Sequence, residues 1–187
     1  MMRIAEFSKI SKEQFIKDFE PLVQALIKAD PNVPCDEFYD KDEEKVYIDA
    51  AYDAVTIPSR ATKQSAGYDI SSPVGFVLRA GETIKIPTGL RCSIEDGWVL
   101  MIYPRSSLGF KYRLQLDNTT GIVDSDYYHA DNEGHIFLKI TNDSRSSKNL
   151  TVSVGDRLAQ GVFLPYGITH SDYVTASRKG GLGSTGS

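Results

Sequence analysis

Trp98-Val99-Leu100-Met101-Ile102-Tyr103, followed at once by Pro104, decides the fold. A run of this length, made of β-branched, aromatic and other apolar residues and closed by a turn signal, reads as a strand. Similar runs precede it at Val46-Tyr47-Ile48, Val55-Thr56-Ile57, Gly75-Phe76-Val77-Leu78 and Thr83-Ile84-Lys85-Ile86. Others follow at Ile136-Phe137-Leu138-Lys139-Ile140, Leu150-Thr151-Val152-Ser153-Val154 and Leu158 to Leu164. Gly, Pro and Asp turns part them at short intervals, the pattern of an antiparallel sandwich or barrel.

Upstream of the strands the periodicity changes. Across residues 8–29, Phe15, Phe19, Leu22 and Leu26, with Ile16, Val23 and Ile27 beside them, recur at helical spacing. Ser11 and Gln14 frame a capping box. Pro21 lacks a backbone donor, so the spacing predicts a kinked helix, or two short ones meeting near Glu20. Asp30-Pro31-Asn32-Val33-Pro34 stops the pattern, and the apolar stripe predicts a packing or partner face. Asp36 to Glu44 reads as an acidic linker. The expected organisation is therefore a helical extension with its linker over residues 1–45, a β domain over 46–176 and a Gly-rich arm over 177–187.

With 187 residues, the chain has room for one domain with a substantial core and an appendage. A net charge of −4 and a pI near 5.4 argue against a general nucleic-acid binder. Cys35 and Cys92 stand far apart, which excludes a disulfide scaffold and a zinc motif. His129, His135 and His170 show no metal-ligand spacing and read as structural or solvated. Met1-Met2-Arg3-Ile4-Ala5-Glu6 has no apolar signal-peptide core, and no apolar run approaches the length of a membrane span. The expectation is a cytoplasmic protein, neither secreted nor membrane-bound. Without secretion, the glycosylation-like triplets at Asn118, Asn142 and Asn149 carry no meaning.

Five short segments carry chemistry. Ser65-Ala66-Gly67-Tyr68-Asp69-Ile70 sets a carboxylate at a strand start. Pro104-Arg105-Ser106-Ser107-Leu108-Gly109 brings a cation and two hydroxyls off a strand together, which suits phosphate. Asn118-Thr119-Thr120-Gly121-Ile122-Val123-Asp124-Ser125-Asp126-Tyr127 reads as a hairpin turning near Thr120-Gly121. Gly155-Asp156-Arg157-Leu158-Ala159-Gln160 is the fourth. The fifth, Arg178-Lys179-Gly180-Gly181-Leu182-Gly183-Ser184-Thr185-Gly186, has glycines whose backbone N–H groups can turn toward one centre, with a guanidinium and hydroxyls beside them. Such a tail packs no core and is suited to closing over a polyphosphate.

Taken in order, these segments resemble the five motifs of the homotrimeric dUTP pyrophosphatases (dUTPases), over about residues 52–186. The resemblance implies an all-β, jelly-roll-like dUTPase β-barrel with the N-terminal helical extension added. It implies hydrolysis of dUTP to dUMP and pyrophosphate, which limits uracil in DNA and supplies dUMP for dTMP synthesis. Mg²⁺ would ride on the triphosphate, and a homotrimer would share its active sites between subunits.

The same resemblance assigns roles. Asp124 is the general base for the attacking water. Arg105, Ser106, Ser107 and Gln160 contact the phosphates, while Arg178, Gly183, Ser184 and Thr185 cap the γ end. Asn118 and the backbone at Gly121 pair with the uracil edge, and Tyr127 lies under the deoxyribose, leaving no room for a 2′-hydroxyl. Asp69 orders the ion's water shell indirectly, and Asp156 and Arg157 serve structure. Leu182 stands where the family usually has Phe, giving apolar cover without a ring face, and the fifth motif is one residue short before Gly181. Residues 128–134 form a surface insertion; they and residues 1–45 are candidate partner surfaces. A dCTP deaminase, which shares the fold, would want a catalytic Glu downstream of the hairpin and would lack the Gly-rich tail; Gly121-Ile122-Val123-Asp124 and the tail both favour the dUTPase. A regulatory binding protein on the same scaffold is the non-enzymatic alternative.

Overall fold

The computed structural model describes residues 2–29, 41–176, 178 and 180. It opens with strand β1 (Ala5–Lys9) and helices α1 (Lys12–Ala29) and α2 (Lys41–Ala54), after which strands dominate. These are β2 (Ser59–Arg60), β3 (Tyr68–Ser71), β4 (Phe76–Leu78), β5 (Thr83–Pro87), β6 (Leu90–Ile94) and β7 (Trp98–Pro104). The short helix α3 (Ser106–Tyr112) leads to β8 (Leu114–Leu116) and β9 (Gly121–Val123); a 3₁₀ segment (Ser125–His129) leads to β10 (Phe137–Asn142), β11 (Leu150–Val152) and β12 (Arg157–Pro165).

All pairings among the described strands are antiparallel. The largest sheet has the order β2-β3-β12-β7-β9, beside a three-stranded β5-β10-β8 and the pairs β1-β6 and β4-β11. The hydrogen bonds do not join these sheets into one closed ring among the described residues. The stretch from Trp98 to Pro104 forms β7, whose whole length pairs with β12 from Pro165 back to Ala159. It is the spine on which the other motifs are mounted.

Alternation along the strands fills the core. Leu100 and Ile102 of β7 point inward with Ile86, Leu138, Ile140 and Leu158. The helices share this core. Phe15 and Phe19 are fully buried and stack with ring centroids 4.6 Å apart, each contributing about 1.5–3 kcal/mol by leaving water. Ile48 and Ala51 of α2 join them. Burial pushes the Cys92 thiol up to about 12, so that cysteine is an inert piece of core.

Three local expectations change and one, the form of α1, is narrowed. Val46-Tyr47-Ile48 lies in α2, where Asp42, Glu43 and Glu44 occupy the first turn and complement the helix dipole. Val55 to Ile57 forms the exit from that helix, and the strand begins only at Ser59. One helix runs through Pro21; the stop signal from Asp30 to Pro34 lies outside the described residues. The turn of the third segment occupies residues 117–120, with Thr119 at φ +62°, but its flanking strands pair with different neighbours, β8 with β10 and β9 with β7.

Candidate active site

One cluster lies at the C-terminal end of β7 and another around β9, which pairs with the middle of β7. At the C-terminal end, Gln160 of β12 sits directly between Asp69 of β3 and Tyr103 of β7. Arg105 follows β7 in extended conformation, its N–H held by the Leu158 carbonyl at 3.1 Å, just ahead of α3. Its guanidinium pairs with Asp69 Oδ1, while Arg157 donates to Asp69 Oδ2 at 3.0 Å. One carboxylate, its side chain 12% exposed, thus joins the first, second and fourth motifs. Ser106 and Ser107 begin α3 and are exposed. The Asp156 side chain accepts the Ser153 N–H at 2.7 Å, closing the turn before β12. This cluster gathers cations and hydroxyls suited to a polyphosphate.

The other cluster surrounds β9. Gly121 lies opposite Ile102, and a Cβ there would stand 3.1 Å from the Ile102 Cβ, a tight contact to which the neighbour would have to give by a few tenths of an ångström. Asn118, Gly121 and Tyr127 line a cleft of about 550 Å³ together with Lys85, Phe137 and Lys139. That is ample for a nucleoside. Asp117, also in the lining, accepts from Thr141 at 2.5 Å and Lys139 at 2.9 Å. Those two hydrogen bonds hold its carboxyl below the usual carboxylate value.

Tyr127 is buried on the 3₁₀ segment. Its hydroxyl donates to the His135 carbonyl at 2.7 Å and accepts from Asn132 Nδ2 at 2.8 Å. Burial pushes its phenol above the usual value. Asp124 ends β9 with a half-exposed side chain and accepts Arg178 Nη2 at 2.6 Å. Arg178 Nε donates to Asp126 at 2.8 Å, and the guanidinium lies 5.6 Å from the Tyr127 ring centroid.

The predicted residues therefore divide. Asp69, Arg105, Ser106, Ser107 and Gln160 gather at the C-terminal end of β7; Asn118, Gly121, Asp124, Tyr127 and Arg178 gather around β9, which runs from Gly121 opposite Ile102 to Val123 opposite Leu100. Leu182, Gly183, Ser184 and Thr185 fall outside the described residues. Val123 pairs with Leu100, five residues before Arg105, so Asp124 lies about 20 Å along the sheet from Arg105. Three contributors escape the sequence reading: Asp126, Lys85 and Lys139. The lysines face each other in the β5–β10 register, a pairing that only the sheet topology reveals. Asp126 was in view, two residues past Asp124.

Glu133, in the surface insertion, turns inward as well. Its carboxylate accepts Ser11 N–H at 2.8 Å and Ser11 Oγ–H at 2.6 Å, while Ser11 Oγ caps the Gln14 N–H. The expected capping box is thus completed by Glu133, and the Gln14 side chain bonds Asp18 instead. Among the described residues no group of three or more His, Cys, Asp or Glu side chains could hold a metal, and no helix is long and apolar enough to cross a membrane.

Comparison with known proteins gives the family. A family model described as dUTPase matches residues 53–186. A deoxyuridine 5'-triphosphate nucleotidohydrolase of Lactococcus lactis is 41% identical over 135 residues, 71% of this chain and 89% of its own. The enzyme of that name from Pectobacterium carotovorum is 38% identical over 138 residues, 70% and 86% respectively. Among solved structures, a dUTPase from Streptococcus mutans is similar at TM-score 0.55 and 35% identity, over 63% of this chain and 90% of that one. A mutant dUTPase from phage phi11 of S. aureus, solved for the coordination of a structural Mg(II) ion, reaches TM-score 0.54 at 26% identity, over 66% and 92%.

Proposed function

This chain belongs to the dUTPase family and hydrolyses dUTP, and on that premise we propose how its residues divide the work. The four antiparallel sheets are walls of the family's jelly-roll-like barrel, to which α1 and α2 are added. The phosphate cluster at Arg105, Ser106, Ser107 and Gln160 grips the triphosphate. The cleft beside β9 takes the nucleoside, with Asn118 and the Gly121 backbone reading the uracil edge and Tyr127 set against the sugar. Asp124 holds and deprotonates the water that attacks the α-phosphorus, and pyrophosphate leaves. Domain limits of 1–45, 46–176 and 177–187 remain the reading of the organisation, with α2 straddling the first of them.

The observation that carries this reading is the cleft itself, lined by Asn118, Gly121 and Tyr127 with Asp124 next along the chain from β9. Attack needs the water within about 3–3.5 Å of phosphorus. The gap of about 20 Å between Asp124 and Arg105 supports a site completed between subunits of a homotrimer. Side chains left uncovered by the single chain, such as Phe110 at 91%, Tyr173 at 85% and Val174 at 81% exposure, support the same view.

Mg²⁺ prefers phosphate oxygens and waters. Asp69 fits such a hydrated ion indirectly: each oxygen is engaged by one arginine and keeps a second lone-pair direction for a water. When bound, the ion neutralises developing phosphate charge. The arm, rooted at Arg178, exchanges its contacts with Asp124 and Asp126 for the γ-phosphate, and Leu182, Gly183, Ser184 and Thr185 close over the nucleotide.

The test is pyrophosphate release from dUTP, dCTP, dTTP and UTP with Mg²⁺. Release from dUTP alone, falling about 10²–10⁴-fold in Asp124→Asn while dUTP still binds, is expected. Undiminished turnover in that variant would remove Asp124 from the role of base.

A further inference from the structure

Helix α1 lies outside the region matched by the family model, residues 53–186, yet it is fastened to the back of the nucleoside cleft. Asp18 Oδ2 lies 2.6 Å from Nδ1 of His135, which is fully buried. The other ring nitrogen, Nε2, accepts the Gly89 N–H at 2.9 Å. It must therefore be bare, so Nδ1 carries the proton and donates it to Asp18. The ring packs between Phe15 and Phe137, with centroids at 6.4 and 4.4 Å. The main-chain carbonyl of this same histidine accepts the Tyr127 hydroxyl, and its N–H donates to the Asn132 carbonyl at 3.1 Å.

We propose that Asp18 is a positioning residue for sugar selection: by holding His135, it fixes the carbonyl that anchors the Tyr127 hydroxyl and so the place of the Tyr127 ring in the cleft. The inference rests on the reading of Tyr127 given above. Excluding a 2′-hydroxyl is a steric task, and a ring that can back away does not perform it. The segment from Asn132 to His135 has little slack of its own. Gly134 sits at φ +70°, and a Cβ there would stand 2.6 Å from the Tyr127 carbonyl oxygen. Removing Asp18 leaves a buried N–H donor without its partner, and such a group is relieved only by movement. His135 then turns or changes tautomer, the Gly89 bond goes with it, and the carbonyl that holds Tyr127 shifts. An Asp18 that merely glued α1 to the body would alter stability and leave substrate choice untouched.

The experiment measures kcat and KM for dUTP and UTP with the full-length protein. In Asp18→Ala the ratio of kcat/KM for dUTP over UTP should fall about three- to tenfold, the scale of one hydrogen bond, with kcat on dUTP nearly unchanged. Asp18→Asn keeps an acceptor for Nδ1–H and should restore most of the ratio. Gln14→Ala removes the other hydrogen bond to Asp18, 2.8 Å long, and should lower the ratio about twofold; it reads the same quantity if Asp18→Ala does not fold. An unchanged ratio in the folded variants overturns the proposal. Tyr127→Ala separates the two readings. If it admits UTP while the Asp18 and Gln14 variants do not, only the role of Asp18 fails; if it too excludes UTP, the reading of Tyr127 falls first.

Discussion

The two clusters along β7 are built on different principles. The phosphate cluster is held from within the largest sheet: Asp69, Gln160 and Tyr103 stand side by side on adjacent strands, and one sheltered carboxylate fixes two arginines. The nucleoside cluster is a turn and a 3₁₀ segment on the margin of that sheet, shaped from behind by an inserted helix and covered in front by the root of the arm. The phosphates need fixed charge, which a sheet provides cheaply. In the proposed reading, base and sugar recognition needs a shaped wall, and the support of that wall comes from another element, α1. Under the proposed function, catalysis brings both clusters together from different chains of a homotrimer.

The strongest way to break this contrast is to separate the clusters genetically. Asp124→Asn and Arg105→Ala chains should each be nearly inactive, the first by about 10²–10⁴-fold. Co-assembled in equal amounts, they should recover about a quarter of the wild-type sites, since a shared site then draws an intact half from each chain. No recovery in the pyrophosphate assay would mean that every chain completes its own site.

A smaller effect compares the arginine partners. Asp69→Ala leaves Arg105 and Arg157 adjacent without a counter-ion and should cost about 2 kcal/mol in urea unfolding, below a fully buried pair because Arg157 is half exposed. Asp126→Ala, at the exposed partner of Arg178, should cost under about 0.5 kcal/mol. Equal costs would erase the distinction between a built-in and a transient arginine site.

The smallest effect concerns acid. Burial alone would raise the Asp18 carboxyl, but hydrogen bonds from His135 and Gln14 outweigh it and hold the group below its ordinary 3.8. The Ser11 hydroxyl and N–H lower Glu133 from its ordinary 4.5. A carboxyl depressed in the folded state stabilises above its unfolded pKa, and that contribution is lost as pH falls through the folded value. The docking of α1 should therefore loosen below about pH 4, ahead of the sheet. Hydrogen exchange in α1 against pH checks this, and a helix that melts only with the sheet would contradict it.

Much of the β domain was legible because many of its strands are short runs rich in apolar residues between turn residues, as at Trp98 to Pro104, whereas β1, β6 and β8 gave no such signal. The motif residues were legible for a similar reason: each group is contiguous in sequence. What escaped was set by distance or by competition. Val46-Tyr47-Ile48 has strand composition, yet the acidic first turn of α2, the Lys45–Asp49 pair at 3.1 Å and the burial of Ile48 and Ala51 make it helical. Arg91 packs over the Tyr128 ring at 4.4 Å, so a segment that reads as surface is partly committed to the body. Asp18 and His135 are 117 residues apart, and no local pattern links them.

The bond between Ser11 and Glu133 also has a meaning in time. The helix start and its cap are separated by 122 positions, so on a ribosome adding 5–20 residues per second the cap follows by roughly ten seconds. Until then Phe15 also lacks the His135 ring, whose centroid lies 6.4 Å away in the finished protein. The cover of the helix made first is thus completed only when a segment made much later arrives.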